Sequence, residues 1–262
     1  MTSTSRCSPV ESMGTSTSHR SPVTAEWDRV RELYLTPNPA PGEIVGRIVA
    51  ALDDAARQRL HDAAVVRCLD SVLAGSADLA EGRSQLVPAQ ETGSAALDLA
   101  GRLRRQAVDR IGADHVASVT GTLALDAIPP TVVAALGPTP AWYELPAETV
   151  TARYGRYTTE QDLSVLTGEF CAQDFDRVFR YFVTRDLADH VGEAAAPTVT
   201  AAARLVDRVG EFCQARGRPP GLRRVEQDLQ EMARLPEEQR SRALDPLVAS
   251  MIREGLAGLA GG

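Results

Sequence analysis

Apolar side chains recur about once every 3.6 residues from position 24 to the C-terminus, and this spacing restricts the fold more than any other feature of the chain. Two stretches show it best, with the spacing of one face of an amphipathic helix. Their apolar residues are Ile44, Val45, Ile48, Val49 and Leu52 in the first, and Phe175, Val178, Phe179 and Phe182 in the second. Segments rich in Pro or Gly, such as 36–42 and 215–221, interrupt the pattern because proline cannot continue a helix. The sequence therefore predicts an all-α fold, a multi-helix bundle of about ten helices.

Residues 112–128 form the one stretch whose pattern fits two structures. Its β-branched residues and its glycine are compatible with a strand or with a weak helix. We expect a helix, because the rest of the chain offers no strand to pair with, and a lone strand would leave its backbone groups without hydrogen bonds. Pro129 and Pro130 are expected to separate this segment from the residues C-terminal to it.

The chain divides most naturally into a tail and two helical regions. Residues 1–23 are rich in Ser and Thr and contain little to bury, so we expect a disordered tail, within which either Met1 or Met13 fits as the native start. The Pro-containing loop near residue 140 suggests an N-terminal helical region, 24–140, and a C-terminal one, 141–262. One continuous domain over 24–262 is the alternative.

Composition excludes several classes of protein. The net charge of −7 argues against a general nucleic-acid or anionic-membrane partner, so DNA is an unfavoured ligand. The four cysteines are far apart and form no Cys-x-x-Cys pair, so neither a metal site nor a disulfide framework is predicted. No apolar run reaches the roughly 18–20 residues of a membrane span, and the N-terminus lacks the apolar segment of a secretory signal. We expect a cytoplasmic protein that uses no cofactor; its oligomeric state stays open.

Arginine and tyrosine are concentrated between positions 153 and 156. Arg153 and Arg156 flank Tyr154, and Gly155 would relax the backbone of a turn there. Guanidinium groups and a phenolic hydroxyl suit the recognition of a carboxylate or phosphate. We therefore predict Arg153 and Arg156 as substrate-binding residues and Tyr154 as a catalytic residue. The alternative is a turn whose tyrosines fill the core while the arginines face water.

A carboxylate and a histidine lie one helical turn apart near the end of the aromatic helix. Asp186 and His190 have i, i+4 spacing, so their side chains can touch. A carboxylate beside a histidine is the smallest arrangement that can act as a general base. We predict that this pair moves a proton during catalysis, although residues at such a helix end are often simply solvated.

Residues 158–187 also have the outline of a helix-turn-helix. A short helix capped by Thr158 or Thr159 would end at Thr167-Gly168 and be followed by a longer helix. Asp174 and Asp176 near the start of that second helix would repel phosphates, which argues against DNA recognition. A transcriptional regulator is therefore an alternative function.

The segment 143–182 resembles part of the C-terminal, elimination-type domains of lantibiotic dehydratases and their thiopeptide-type relatives. The residues that carry the resemblance are Tyr143, Pro146, Glu148, Arg153, Tyr154, Gly155 and either Asp174 or Asp176. The Pro-Glu pair of that family is split here, and Arg156 replaces its second glycine. The resemblance implies a protein that binds a modified peptide through Arg and Tyr side chains and adds or removes a proton.

These observations favour a tailoring or accessory protein of bacterial specialised metabolism, including ribosomally made peptides, that binds a small molecule or peptide in a groove between helices. Because every basic residue is Arg, the genome is expected to be GC-rich, as in actinobacteria. A helical scaffold with no catalytic site is the third hypothesis. Whether the protein is an enzyme is left open.

Overall fold

A computed structural model describes residues 24–82, 93–112, 118–138, 141–159 and 163–261. Over these ranges all regular structure is helical, which confirms the predicted all-α fold of about ten helices. The predicted tail, 1–23, lies outside the described residues. No helix in the described ranges is both long and apolar enough to cross a membrane.

The α-helices, numbered in chain order, are α1 (Ala25–Tyr34), α2 (Pro41–Ala51), α3 (Asp54–Leu60), α4 (Ala63–Ala80), α5 (Ala95–Ile111), α6 (Val119–Ala135), α7 (Ala147–Thr159), α8 (Leu163–Leu187), α9 (Val199–Arg216), α10 (Glu226–Ala233) and α11 (Glu237–Ala260). Three short 3-10 segments, Trp142–Glu144, Ala188–His190 and Leu222–Val225, lie between them. The central helix is α4, which is mostly buried and packs against α5, α6, α7 and α11. Helix α8 packs against α6 and α9. Buried side chains from both sides of residue 140 belong to one hydrophobic cluster.

Side chains at the helix starts explain several boundaries. The side-chain oxygen of the N-cap residue Thr24 accepts from the backbone N–H of Trp27 at 3.3 Å. Comparable N-cap contacts begin α3, α4, α5, α6 and α9, and the capping residues are Asp53, Asp62, Ser94, Ser118 and Thr198. Each cap satisfies a backbone donor that has no partner within its own helix.

Helix α6 covers most of residues 112–128, the stretch whose pattern was compatible with a strand or a helix, and it corrects one expectation. Residues 119–128 are helical as expected, whereas 113–117 lie outside the described residues. The expected break at Pro129 and Pro130 is wrong, because α6 continues through both to Ala135. Proline in a helix interior costs about 3 kcal/mol. The neighbouring side chains of Ile128 and Val132 are fully buried, and their burial offsets much of that cost.

Helix α8 corrects a second expectation, the turn at Thr167-Gly168. The helix runs without interruption from Leu163 to Leu187, and Thr167 is buried within it. A residue far away in the sequence caps its start. The backbone N–H groups of Leu163 and Ser164 donate to the two carboxylate oxygens of Glu226, at 2.9 and 2.7 Å. The helix-turn-helix predicted over 158–187 therefore has no turn at Thr167-Gly168.

Helix α7 corrects a third expectation, the turn at 153–156. Arg153, Tyr154 and Arg156 all lie inside α7. Gly155 does not relax a turn; it lets α7 approach the end of α4, since a Cβ at this position would lie 3.1 Å from the backbone nitrogen of Ala80. The glycine therefore serves close helix packing, which a local sequence pattern does not distinguish from a turn.

Candidate functional site

A groove of about 660 Å³ lies between α1, the α2–α3 junction, the start of α6 and the C-terminal half of α8. We call it the interhelical groove. The residues that line it are Thr24, Glu26, Trp27, Ala50, Ala51, Leu52, Asp53, Ala56, Arg59, Leu60, Asp62, Ser118, Val119, Thr120, Leu123, Val178, Tyr181, Phe182 and Arg185. Four separate stretches of sequence thus form one concave surface.

Apolar side chains, several of them aromatic, make up most of the groove lining. Trp27 from α1 meets Phe182 from α8 with ring centroids 5.8 Å apart, and Tyr181 lies 5.9 Å from Phe182. Trp27 and Val178 are almost fully buried, so they are fixed by the core. A concave surface of this composition suits the apolar part of a ligand.

Two of the carboxylates in the groove are already used by the fold. Asp53 accepts from the backbone N–H of Ala56 at 2.6 Å. Asp62 accepts from the N–H of Ala64 at 2.8 Å and from the hydroxyl of Ser118 at 3.3 Å. Their negative charges therefore face the N-terminal ends of helices, where they are offset by the helix dipoles.

Arg185 is held in a defined position at the α8 wall. Its guanidinium carbon lies 5.7 Å from the ring centroid of Trp27, 5.6 Å from that of Tyr181 and 5.4 Å from that of Phe182. Its Nε donates to Asp186 Oδ1 at 3.0 Å. Cation–π contacts and a charge-assisted hydrogen bond thus fix a flexible side chain at the edge of the groove.

Neither Asp186 nor His190, the pair predicted to move a proton, is among the residues that line the groove. Asp186 is buried and contacts Arg185. The His190 ring lies 5.5 Å from that of Tyr34, and burial, followed by the nearby Asp186 carboxylate, raises the pKa of Tyr34 well above its ordinary value. The structure therefore shows Asp186 as a partner of a groove residue. Its proposed role in catalysis stays a prediction.

Arg153, Tyr154 and Arg156 lie in a different part of the protein. Tyr154 is fully buried, its hydroxyl donates to the carbonyl of Val72 at 3.2 Å, and burial raises its pKa far above the ordinary value. Arg153 donates to the carbonyl of Leu136 at 2.8 Å, and the guanidinium of Arg156 lies 5.8 Å from the ring of Tyr157.

Both arginines also line a shallower depression of about 410 Å³ between α7 and the end of α4. None of the five predicted site residues is among the described residues that line the interhelical groove. The structure thus brings Arg153 and Arg156 together on one surface, and it places Asp186 beside Arg185 of the groove.

Sequence reasoning missed the groove, although part of it has a visible signal. Val178, Phe182 and Arg185 follow one another at spacings of four and three, so they share a face of α8. The same spacing is typical of a helix face buried in the core. Only the presence of Trp27 and Arg59 on the opposite side shows that this part of α8 is a wall of a cavity. In the described ranges, no three His, Cys, Asp or Glu side chains converge in a way that would hold a metal ion.

Comparison with known proteins returns no family model, no curated protein and no solved structure that matches this chain.

Proposed function

We propose that this protein binds a small molecule or a short peptide segment in the interhelical groove. The observation that carries the proposal is the groove itself: its volume of about 660 Å³ lies within the roughly 300–1,000 Å³ of small-molecule sites. Its mostly apolar lining is interrupted by a few polar groups at fixed positions, which is the usual composition of a ligand site.

The biological setting that we propose is the tailoring of a specialised bacterial metabolite, with a ribosomally made peptide as one class of ligand. The support for this setting is the resemblance over 143–182, together with a cavity that could receive such a ligand. The proposal concerns binding, and an accessory role without chemistry satisfies it as well as an enzymatic one.

Of the two other functions that the sequence left open, the regulator is disfavoured by the structure. A DNA-reading helix must present polar side chains to the bases, but Phe175 and Phe179 are buried, and Asp176 in the middle of α8 is bonded to Gln214 at 3.1 Å. A scaffold without a ligand would be revealed by a failure to bind any probe in the groove.

Trp27 offers a direct readout of ligand binding, because the chain contains only two tryptophans and the second, Trp142, does not line the groove. In a Trp142→Phe background, titration with the neutral aromatic probe N-phenyl-1-naphthylamine should quench Trp27 emission and raise probe emission. Ala56→Phe, which places a ring into the groove, should weaken probe binding at least tenfold without lowering the melting temperature.

The matched control is Ala203→Phe, the same substitution at an exposed position of α9 away from the groove. It should leave the probe affinity unchanged. The proposal fails if the parent protein does not bind the probe, or if Ala56→Phe and Ala203→Phe bind it as tightly as the parent does.

A further inference from the structure

We infer that residues 9–13 of this chain dock in the interhelical groove and compete there with its ligand. The inference rests on the proposed function, because it adds a regulator, the chain's own N-terminal segment, to the same site. The segment reads Pro-Val-Glu-Ser-Met, and Val10 and Met13 are its apolar contacts with the groove. Residues 1–23 lie outside the described part of the chain, which begins at Thr24.

The N-terminal segment is joined to the protein at the groove itself. Thr24, the N-cap of α1, belongs to the lining, and so do Glu26 and Trp27 from the first turn. The residues that precede Thr24 are therefore attached covalently to the rim of the groove. A segment attached at this point is close to the apolar lining from the start.

The link between Met13 and Thr24 is long enough to let residues 9–13 lie across the groove. It consists of the ten residues 14–23. Ten extended residues span up to about 33–36 Å, which exceeds the roughly 10–12 Å diameter of each helix that forms a wall. A short link holds the segment at an effective concentration in the millimolar range. Even a weak contact is therefore formed for much of the time.

Val10 and Met13 match the apolar and aromatic lining. Among residues 1–23, they are the only two of Val, Leu, Ile, Met or Phe within five positions of each other, in a segment otherwise rich in Ser and Thr. A methionine side chain adapts to irregular spaces and its sulfur contacts aromatic rings favourably. Trp27 and Phe182 present such rings in the groove, with their centroids 5.8 Å apart.

The charges of the groove and of the segment also have opposite signs. The lining contains three carboxylates, Glu26, Asp53 and Asp62, and two guanidinium groups, of which that of Arg185 is already paired with the buried Asp186. Residues 1–23 contain two arginines and one glutamate. Because two of the three carboxylates are helix N-caps, the electrostatic contribution is small. The apolar contacts supply most of the affinity.

Cys7 allows the docking to be measured in the full-length protein. A thiol-reactive nitroxide is directed to Cys7, because the other three cysteines are buried. Docking of residues 9–13 brings the nitroxide towards Trp27 and broadens the NMR signal of its indole N–H. The indole of Trp142, which does not line the groove, is the internal reference. The substitution Trp142→Phe assigns the two signals.

A tail variant separates docking from the proximity that the covalent link alone produces. Val10→Ser/Met13→Ser removes the apolar contacts and keeps the link. We expect the broadening of the Trp27 signal to fall by at least half in this variant. Its affinity for N-phenyl-1-naphthylamine, measured by Trp27 emission in the Trp142→Phe background, should rise about three- to tenfold, since an occupied groove lowers the apparent affinity in proportion to its free fraction.

Two more variants show whether the contact is made in the groove. Ala56→Phe places a ring among the lining residues and should reduce the broadening of the Trp27 signal as the tail variant does. The matched control is Thr15→Ser/Thr17→Ser, which changes two residues of the link and no proposed contact. It should leave both the broadening and the probe affinity as they are in the parent.

The outcomes distinguish this inference from the proposal that it extends. Equal broadening of the Trp27 signal in the parent, the tail variant and Ala56→Phe overturns the docking of residues 9–13, and so does an unchanged probe affinity in the tail variant. In both cases groove binding stands, provided that the probe binds. If the probe binds neither the parent nor the tail variant, the proposed function fails, and the competition inferred here fails with it.

Discussion

A fully buried aspartate should hold the last helix onto the central one. Asp70 of α4 accepts from Nε of Arg240 in α11 and from the Ser241 hydroxyl, which lies 3.5 Å away. Arg110 of α5 approaches the same carboxylate at 3.5 Å. One carboxylate therefore joins three helices, at a place where water cannot replace it.

The test of this arrangement is Asp70→Asn, which preserves the size of the side chain and removes its charge. Removing one partner of a buried ion pair costs about 3–5 kcal/mol, because the remaining charge stays buried. Arg110 keeps a contact of 3.4 Å with Glu237, and Arg240 keeps its bond of 3.0 Å to the carbonyl of Leu235. We therefore expect the lower end of that range, a loss of about 3 kcal/mol, or roughly 6–12 °C in melting temperature.

Urea unfolding followed by far-ultraviolet circular dichroism measures this loss directly. The control is Asp126→Asn, the same change in an ion pair with Arg104 that is half exposed at 3.2 Å and should contribute at most about 1 kcal/mol. The double variant Asp70→Asn/Arg240→Gln should recover part of the loss, since it also removes the buried positive charge. Equal losses for Asp70→Asn and Asp126→Asn would refute the reasoning.

Two further predictions concern α8 and α9, the helix that packs on it. Burial raises the pKa of Asp174 from 3.8 to about 7, so the folded protein keeps a proton that the unfolded chain releases. The stabilisation from protonated Asp174 is therefore full below about pH 4, and up to about 4 kcal/mol of it is lost as the pH rises to about 7. Urea unfolding of the wild type and of Asp174→Asn at pH 5 and pH 8 measures this loss as a change in their difference in unfolding free energy. A difference that is the same at both pH values would contradict the prediction. Gly210→Ala should destabilise the protein by about 1–3 kcal/mol in the same assay, because a Cβ there would overlap the Asp176 carboxylate and Nε of Arg180. Alanine stabilises an unobstructed helix by roughly 1 kcal/mol relative to glycine. A gain of that size would show that the close approach of α9 to α8 at Gly210 does not matter.

Local sequence signals predicted the helices themselves, and they failed where tertiary packing outweighed them. Thr24 caps α1 and Pro41 begins α2, which are positions where these residue types are locally favoured. Pro129-Pro130 and Thr167-Gly168 carry equally local signals for a break, yet both pairs lie inside helices. Propensity differences of about 1–3 kcal/mol are small beside the burial of several apolar side chains.

The candidate site also separates what the sequence predicts from what only tertiary packing decides. The amphipathic period fixed which faces of α2 and α8 would be apolar, because a helix repeats every 3.6 residues whatever surrounds it. It could not show that Trp27, Arg59 and Arg185, up to 158 positions apart in the chain, would meet around one groove. Nor could it show that the hydroxyl of Tyr154 would be sealed against α4. Helix formation depends on neighbours within about four residues, whereas a cavity depends on which faces pack together, and that is decided only in three dimensions.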